Sequence, residues 1–235
     1  MAISKLLSLL YPPRCLFCSS IVDEGIYMCD NCAKSLPLIK PPICKRCGCE
    51  KADCVCTPVH NRYNGCVAPF YYTGPAKRAI KALKFRNSPE IAEKLAGFMA
   101  ECVKQNYKNI IFDFVTSVPV GRMTYIRRGY NQAEILAKEV AKDIGSIYIS
   151  GLRKAKLTKH QRELAAFDRL ANVYGAFKTR KIDFSGKTIL LVDDVRTTGA
   201  TLNECAATLK KAGAKSVYCL TLALTKKIKK PYKMI

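Results

Sequence analysis

Apolar residues along this chain recur at two spacings. Ile91, Leu95, Phe98 and Cys102 share one face at helical spacing and predict a helix from Glu90 to Lys104, preceded by another from Ala76 to Phe85. A third helix is expected to start at Asn131, whose side chain can cap it, with Glu134 three positions on and Ile135, Leu136, Val140 and Ile144 facing inward. A fourth passes through Leu202, Cys205 and Leu209 and stops at Gly213. Between these segments the pattern shortens to strands: Phe112 to Val118 alternates, Ile189 to Val192 is wholly apolar, and Val217 to Ala223 closes the series. A short run apolar at every position suits a central strand covered on both faces. Helix and strand in alternation argue for an α/β fold with a mainly parallel sheet.

The run from Ile189 continues as Asp193-Asp194-Val195-Arg196-Thr197-Thr198-Gly199-Ala200-Thr201-Leu202, which reads as a strand, a polar loop and a helix start. Its polar groups then lie at the carboxyl end of a strand, where open α/β sheets bind ligands. Hydroxyls, a glycine and backbone N–H groups at a helix N-terminus suit a phosphate. The two carboxylates can accept from sugar hydroxyls and hold hydrated Mg²⁺. Two other readings compete. An apolar strand ending in Asp-Asp also looks like a Walker B element, but Lys181 stands where the first glycine of a Walker A loop before Gly186-Lys187-Thr188 would be. A structural turn needs only one or two special residues, whereas every position from Asp193 to Thr201 suits a sugar phosphate. The stretch resembles the phosphoribosyl pyrophosphate (PRPP) signature of type I phosphoribosyltransferases. That resemblance implies that Asp193 and Asp194 are the catalytic acids and hold the ribose hydroxyls. It also implies that the loop of Thr197, Thr198, Gly199, Ala200 and Thr201, with Arg196 at its start, binds the 5′-phosphate of PRPP in company with Mg²⁺.

Charge widens the picture. Forty Lys and Arg against eighteen Asp and Glu give a net charge of +22 over 235 residues, which points to a polyanionic partner, although a lysine-rich proteome would raise it too. The basic residues cluster: Lys77, Arg78, Lys81, Lys84 and Arg86 stand together without an acid, and Arg153, Lys154, Lys159, Arg162 and Arg169 fall in a second run. Of these, Lys81, Lys84, Arg153, Lys154, Lys159, Arg162 and Arg169 are the candidate nucleic-acid contacts. The second run, with Thr158 and Gln161, suits either a basic flap over a reactive phosphosugar or an ordinary exposed loop. Arg127 and Arg128, before Gly129-Tyr130-Asn131-Gln132, put two guanidiniums beside a helix start, where their planar forks match phosphate oxygens; a solvated charge pair is the alternative. There is no tryptophan to stack on bases, which leaves Tyr63, Tyr71, Tyr72, Tyr125 and Tyr130.

Nine of the thirteen cysteines lie between positions 15 and 56. Two thiolates separated by two residues form a knuckle, and two knuckles complete a tetrahedral zinc site. Cys15, Cys18, Cys29 and Cys32 make one candidate site, and Cys44, Cys47, Cys54 and Cys56 a second in which Cys49 can replace one of the last two. With one or two zinc ions, these sites are structural, since a full set of thiolates leaves no open position. An iron–sulfur cluster takes the same ligands, and disulfides fit only an oxidising compartment. So short a segment cannot bury its own core, and metal is expected to supply its folding energy. Cys66, Cys102, Cys205 and Cys219 read as core. The shift in composition near residues 57–66 divides the chain into a ribbon domain, 1–60, and a catalytic domain, 61–235. No apolar run reaches the length of about 18 residues that a membrane helix needs. Met1 to Leu10 is too soon broken by Tyr11-Pro12-Pro13 for a signal peptide, so a cytoplasmic protein without membrane insertion is expected.

Taken together, the cysteine-rich head, Val118-Pro119-Val120, Arg128 to Gln132, the segment with Arg153, Thr158, Gln161, Arg169 and Asn172, and the acidic signature resemble the competence protein F (ComF) family. The departures are Cys49, which is extra, and the tight Cys54-Val55-Cys56. The resemblance implies a type I phosphoribosyltransferase fold with an N-terminal zinc-ribbon domain in the place of the usual hood, and adds Val118, Pro119, Arg127 and Arg128 to the PRPP site. It further implies a role in natural transformation after single-stranded DNA enters, beside a competence DNA helicase. Two classes of function follow: a PRPP-responsive protein that binds single-stranded DNA, or a phosphoribosyltransferase acting on a small base or amine acceptor without a DNA role.

Overall fold

The backbone of one long strand pair organises the molecule. β7 (Thr188–Arg196) and β8 (Ser216–Leu224) lie parallel over their whole lengths, from Thr188 opposite Ser216 to Arg196 opposite Leu224. In a computed structural model that describes residues 12–56, 61–85, 89–155 and 174–226, they form the centre of a sheet ordered β1-β8-β7-β3-β4, with β2 also beside β8. β1 (Gly65–Val67), β2 (Phe70–Tyr71), β3 (Phe114–Ser117) and β4 (Ile147–Tyr148) are the shorter members, and every pairing in the sheet is parallel. The expected α/β architecture is therefore present. Ile189, Leu190, Leu191 and Val192 are fully buried, as a strand covered on both faces requires.

Two apolar layers cover the sheet. On one face, α2 (Gly74–Phe85), α3 (Pro89–Asn106) and α5 (Gln132–Asp143) bury Ile80, Leu95, Met99, Leu136 and Val140 against Leu190, Val192 and Leu220. On the other, α6 (Ala200–Lys211) and an antiparallel hairpin of β5 (Leu152–Lys154) and β6 (Phe177–Thr179) bury Leu202, Cys205, Leu209 and Phe177 against Ile189, Leu191 and Cys219. Asn131 caps α5 as expected, its side chain accepting from the Ala133 N–H. Cys66, Cys102, Cys205 and Cys219 are core residues. Among the described residues no helix is long and apolar enough to cross a membrane.

The cysteine-rich head is built into this core. Phe17, 1% exposed, meets Phe70 and Phe98 edge-on, each at a centroid distance of 6.2 Å, in the same apolar cluster as the sheet. The Pro37–Ile39 linker is strapped along β2, Tyr71 N–H donating to Pro37 O and Ile39 N–H to Pro69 O. The head contains α1 (Asp30–Ser35), with Cys32 buried on its inner side. Metal is therefore not the only source of order in the head, because Phe17 draws on the hydrophobic core of the sheet. Phe17→Ala is expected to lower unfolding free energy by about 3–5 kcal/mol, the usual cost of emptying a fully buried aromatic site. A urea unfolding midpoint unchanged from that of the parent protein would count against this docking.

Candidate phosphosugar site and cysteine clusters

Polar groups gather at the carboxyl end of β7. The strand was expected to give way to a loop at Asp193, but its ladder runs on through the acids, because Thr221 to Leu224 of β8 keep pairing with Asp193 to Arg196. Neighbouring side chains on a strand point to opposite faces, and the two acids do. Asp194 turns to the α2 face, where its carboxylate takes the Lys84 ammonium at 2.5 Å. Asp193 lies on the α6 side, in the field of Cys205, and its Oδ1 accepts the Asp194 N–H at 2.8 Å. Burial, reinforced by the charge of Asp194, pushes the Asp193 carboxyl up to about 8.

Beyond Arg196 the chain turns through Thr197 and Thr198 into α6. Gly199, at φ +85°, starts that helix without a side-chain cap, so the early N–H groups of α6 stay largely available. Thr198 Oγ1 takes one of them, from Ala200, at 3.3 Å. Val118 and Pro119 follow β3, level with the acids, since Ser117 pairs with Val192 and the Val118 N–H donates to Val192 O. The buried Asn131 amide holds this turn by donating to Val118 O at 3.0 Å. α4 (Arg122–Arg128), not anticipated from the sequence, ends on the left-handed Gly129. It buries none of its residues, leaving Arg127 and the side chains of Met123, Tyr125 and Ile126 exposed, while Arg128 is fixed to Gln132 Oε1 at 2.9 Å.

Several side chains face other partners than expected. Lys84, grouped from its neighbours with a nucleic-acid surface, is turned to Asp194. Lys154 reaches beside Gly121 in the turn after β3, and burial holds its ammonium below the usual lysine range. Arg196, expected on the phosphate, is instead 7% exposed and donates from Nη1 to the Cys47 carbonyl at 3.2 Å. Tyr63 and Tyr71 are core residues and offer no stacking face, whereas Tyr125 is half exposed. Lys81 and Arg153 are exposed. Lys159, Arg162 and Arg169, with Thr158, Gln161 and Asn172, lie outside the described residues. Sequence reading also passed over the side chain of Gln132: its buried Nε2 and Arg196 Nε are two buried polar atoms without a partner among the described residues.

The cysteines converge as two groups of four. The sulfurs of Cys15, Cys18, Cys29 and Cys32 lie within 4.8 Å of one another, as do those of Cys44, Cys47, Cys54 and Cys56. Four thiolates gathered this closely around one point fit a tetrahedral zinc ion, with Zn–S bonds of about 2.3 Å. Cys49 stands outside the second set, its sulfur 2.9 Å from that of Cys47. Each cluster is tied to the sheet domain by an arginine: Arg78 of α2 donates to Phe17 O at 3.2 Å and approaches the Cys32 sulfur at 3.9 Å, and Arg196 holds Cys47.

Comparison with known proteins gives this arrangement its context. A double zinc ribbon domain model matches residues 6–60, and a phosphoribosyl transferase domain model matches residues 83–234. Competence protein F of Haemophilus influenzae is 30% identical over 89% of this chain and 96% of its own length. DNA utilization protein YhgH of Salmonella typhimurium is 30% identical over 89% and 90% respectively. Competence protein ComFC of Bacillus subtilis is 26% identical over 88% of this chain and 93% of its own. With two thiolate clusters suited to structural zinc joined to a parallel sheet, two matching domain models and this likeness over most of its length, the chain belongs to the competence protein F family.

Proposed function

We propose that the protein binds PRPP with Mg²⁺ at the end of β7 and single-stranded DNA on the basic surface beside it, in the cytoplasmic handling of DNA during natural transformation. The observation that carries the first half is the joining of Asp193 and Asp194 to the uncapped start of α6 at the carboxyl end of the central parallel strand. The acids suit ribose hydroxyls, and the loop from Thr197 to Thr201 suits the 5′-phosphate. Mg²⁺, held through Asp193 or Asp194, would supply charge to the pyrophosphate. Lys84 is paired with Asp194 at this end of the strand, which puts its ammonium where it suits the pyrophosphate as well. Arg127, Arg128 and Lys154 are cations at the same end of the sheet, beside the Val118-Pro119 turn, and their N–H groups suit the pyrophosphate.

The second half rests on charge and exposure together. The net charge is +22, and α4 shows arginines and a half-exposed Tyr125 to solvent next to the sugar site. Backbone phosphates and a stacking ring are what single strands require. The relatives named for competence and for DNA utilization agree with such a role, and a competence DNA helicase is the partner it implies. Oligonucleotide affinity measured at about 50 and 200 mM salt should fall about 100-fold for about five neutralised phosphates. Adding Mg²⁺–PRPP should change the affinity, since the two surfaces adjoin. Weak, salt-insensitive binding that PRPP leaves unaltered would sink the DNA half and leave phosphoribosyl transfer to a small base or amine acceptor.

A further inference from the structure

A long cation inside a phosphate loop would ordinarily be expected to reach for the phosphate. Arg196 does the opposite. It is buried, its Nη1 bonds the carbonyl of Cys47 at 3.2 Å, and Cys66 and Tyr63 lie in its field. Taking a guanidinium out of water is costly unless negative charge and acceptors surround it. The Cys47 carbonyl and the neutral Tyr63 hydroxyl are little compensation, and Nε has no partner among the described residues. Four thiolates around one Zn²⁺ carry a surplus of negative charge, and Cys47 is one of the four cysteines of the second cluster. A zinc-filled second cluster would therefore match the buried cation.

The same guanidinium touches the phosphate loop from behind. A Cβ placed on Gly199 would lie 3.0 Å from Arg196 Nε, so the left-handed glycine that opens α6 is also the residue that lets the arginine pass. The knuckle on the other side is equally tight. A Cβ on Gly48 would come within 2.6 Å of Cys66 O, which presses the Cys44–Cys47 turn onto β1. No slack separates the second cluster from the start of α6.

Resting on the phosphosugar reading above, we propose that Arg196 is a positioning residue that couples the second zinc site to the phosphate loop, making the second ribbon a working part of the PRPP site. Metal taken by the Cys47 sulfur would fix that residue in place, its carbonyl holds the guanidinium, and the guanidinium backs Gly199. Loss of metal would free Cys47 and remove the negative charge nearest the buried cation, and the loop behind it would shift.

The test uses the full chain with ¹¹³Cd in place of zinc, the second-site resonance being assigned by its loss in Cys56→Ser. Saturating Mg²⁺–PRPP should move that resonance in the parent protein. Arg196→Met should retain both metal ions, bind PRPP about tenfold more weakly, within the usual range for coupled sites, and lose the cadmium response; Arg196→Lys should recover part of the affinity. PRPP binding without any movement of the resonance, or parental affinity in a metal-loaded Arg196→Met protein, overturns the coupling alone. Should Arg196→Met fail to fold, the cadmium titration of the parent protein decides by itself. No PRPP binding to the parent protein would instead remove the phosphosugar reading, and the coupling with it.

Discussion

Asp193→Asn combined with Asp194→Asn is expected to weaken Mg²⁺–PRPP binding by about 100-fold or more, since removing charged partners from a desolvated contact costs about 2–5 kcal/mol. The fold should survive. Asp193 is held in a place that disfavours its charge, burial being the first cause of its raised pKa. An uncharged amide of the same shape therefore gives up little stability there. Lys84 loses its partner on Asp194, but at 23% side-chain exposure its long stem can carry the ammonium out to water. A double variant with parental PRPP affinity by calorimetry would take the site away from these acids, whatever its thermal stability.

Metal removal is the second large effect. Structural zinc contributes about 10–16 kcal/mol of apparent binding free energy in isolated finger peptides, and neither cluster here has any other covalent tie. Chelation of the full protein should therefore expose residues 14–56 to protease before the sheet is cut. Because Phe17 and the Arg78 contacts join the first cluster to the core of the sheet, the loss should also lower the unfolding midpoint of the remainder. Protease resistance of the head in metal-free protein would show that apolar docking alone maintains it, and the structural role of zinc would fall.

What the sequence made legible is what local patterns encode. The apolar run before Asp193, the cap at Asn131 and the knuckle spacing of the cysteines each carry their signal within a few residues, and strand, helix and both thiolate clusters are found there. What escaped was decided by partners distant in the chain. β7 continues through the acids only because Thr221 to Leu224 lie beside it. Lys84 and Arg196 belong to basic or phosphate-binding patterns by their neighbours in sequence, but an acid on another strand and a carbonyl in the head determine where they point. Tyr63 disappears into the core for the same reason. The strands β1, β2, β4, β5 and β6, two or three residues each, are too short to show a period, and α4, lacking a buried stripe, gives no amphipathic signature.

The central claim is that the carboxyl end of β7 is a working phosphosugar site, and calorimetric titration of the zinc-loaded full chain with PRPP, in the presence and absence of Mg²⁺, addresses it most directly. Saturable binding of one PRPP per chain that strengthens with Mg²⁺ is the result expected. Absence of binding heat in Mg²⁺ at every temperature tried, from protein with both cysteine clusters filled, would contradict it.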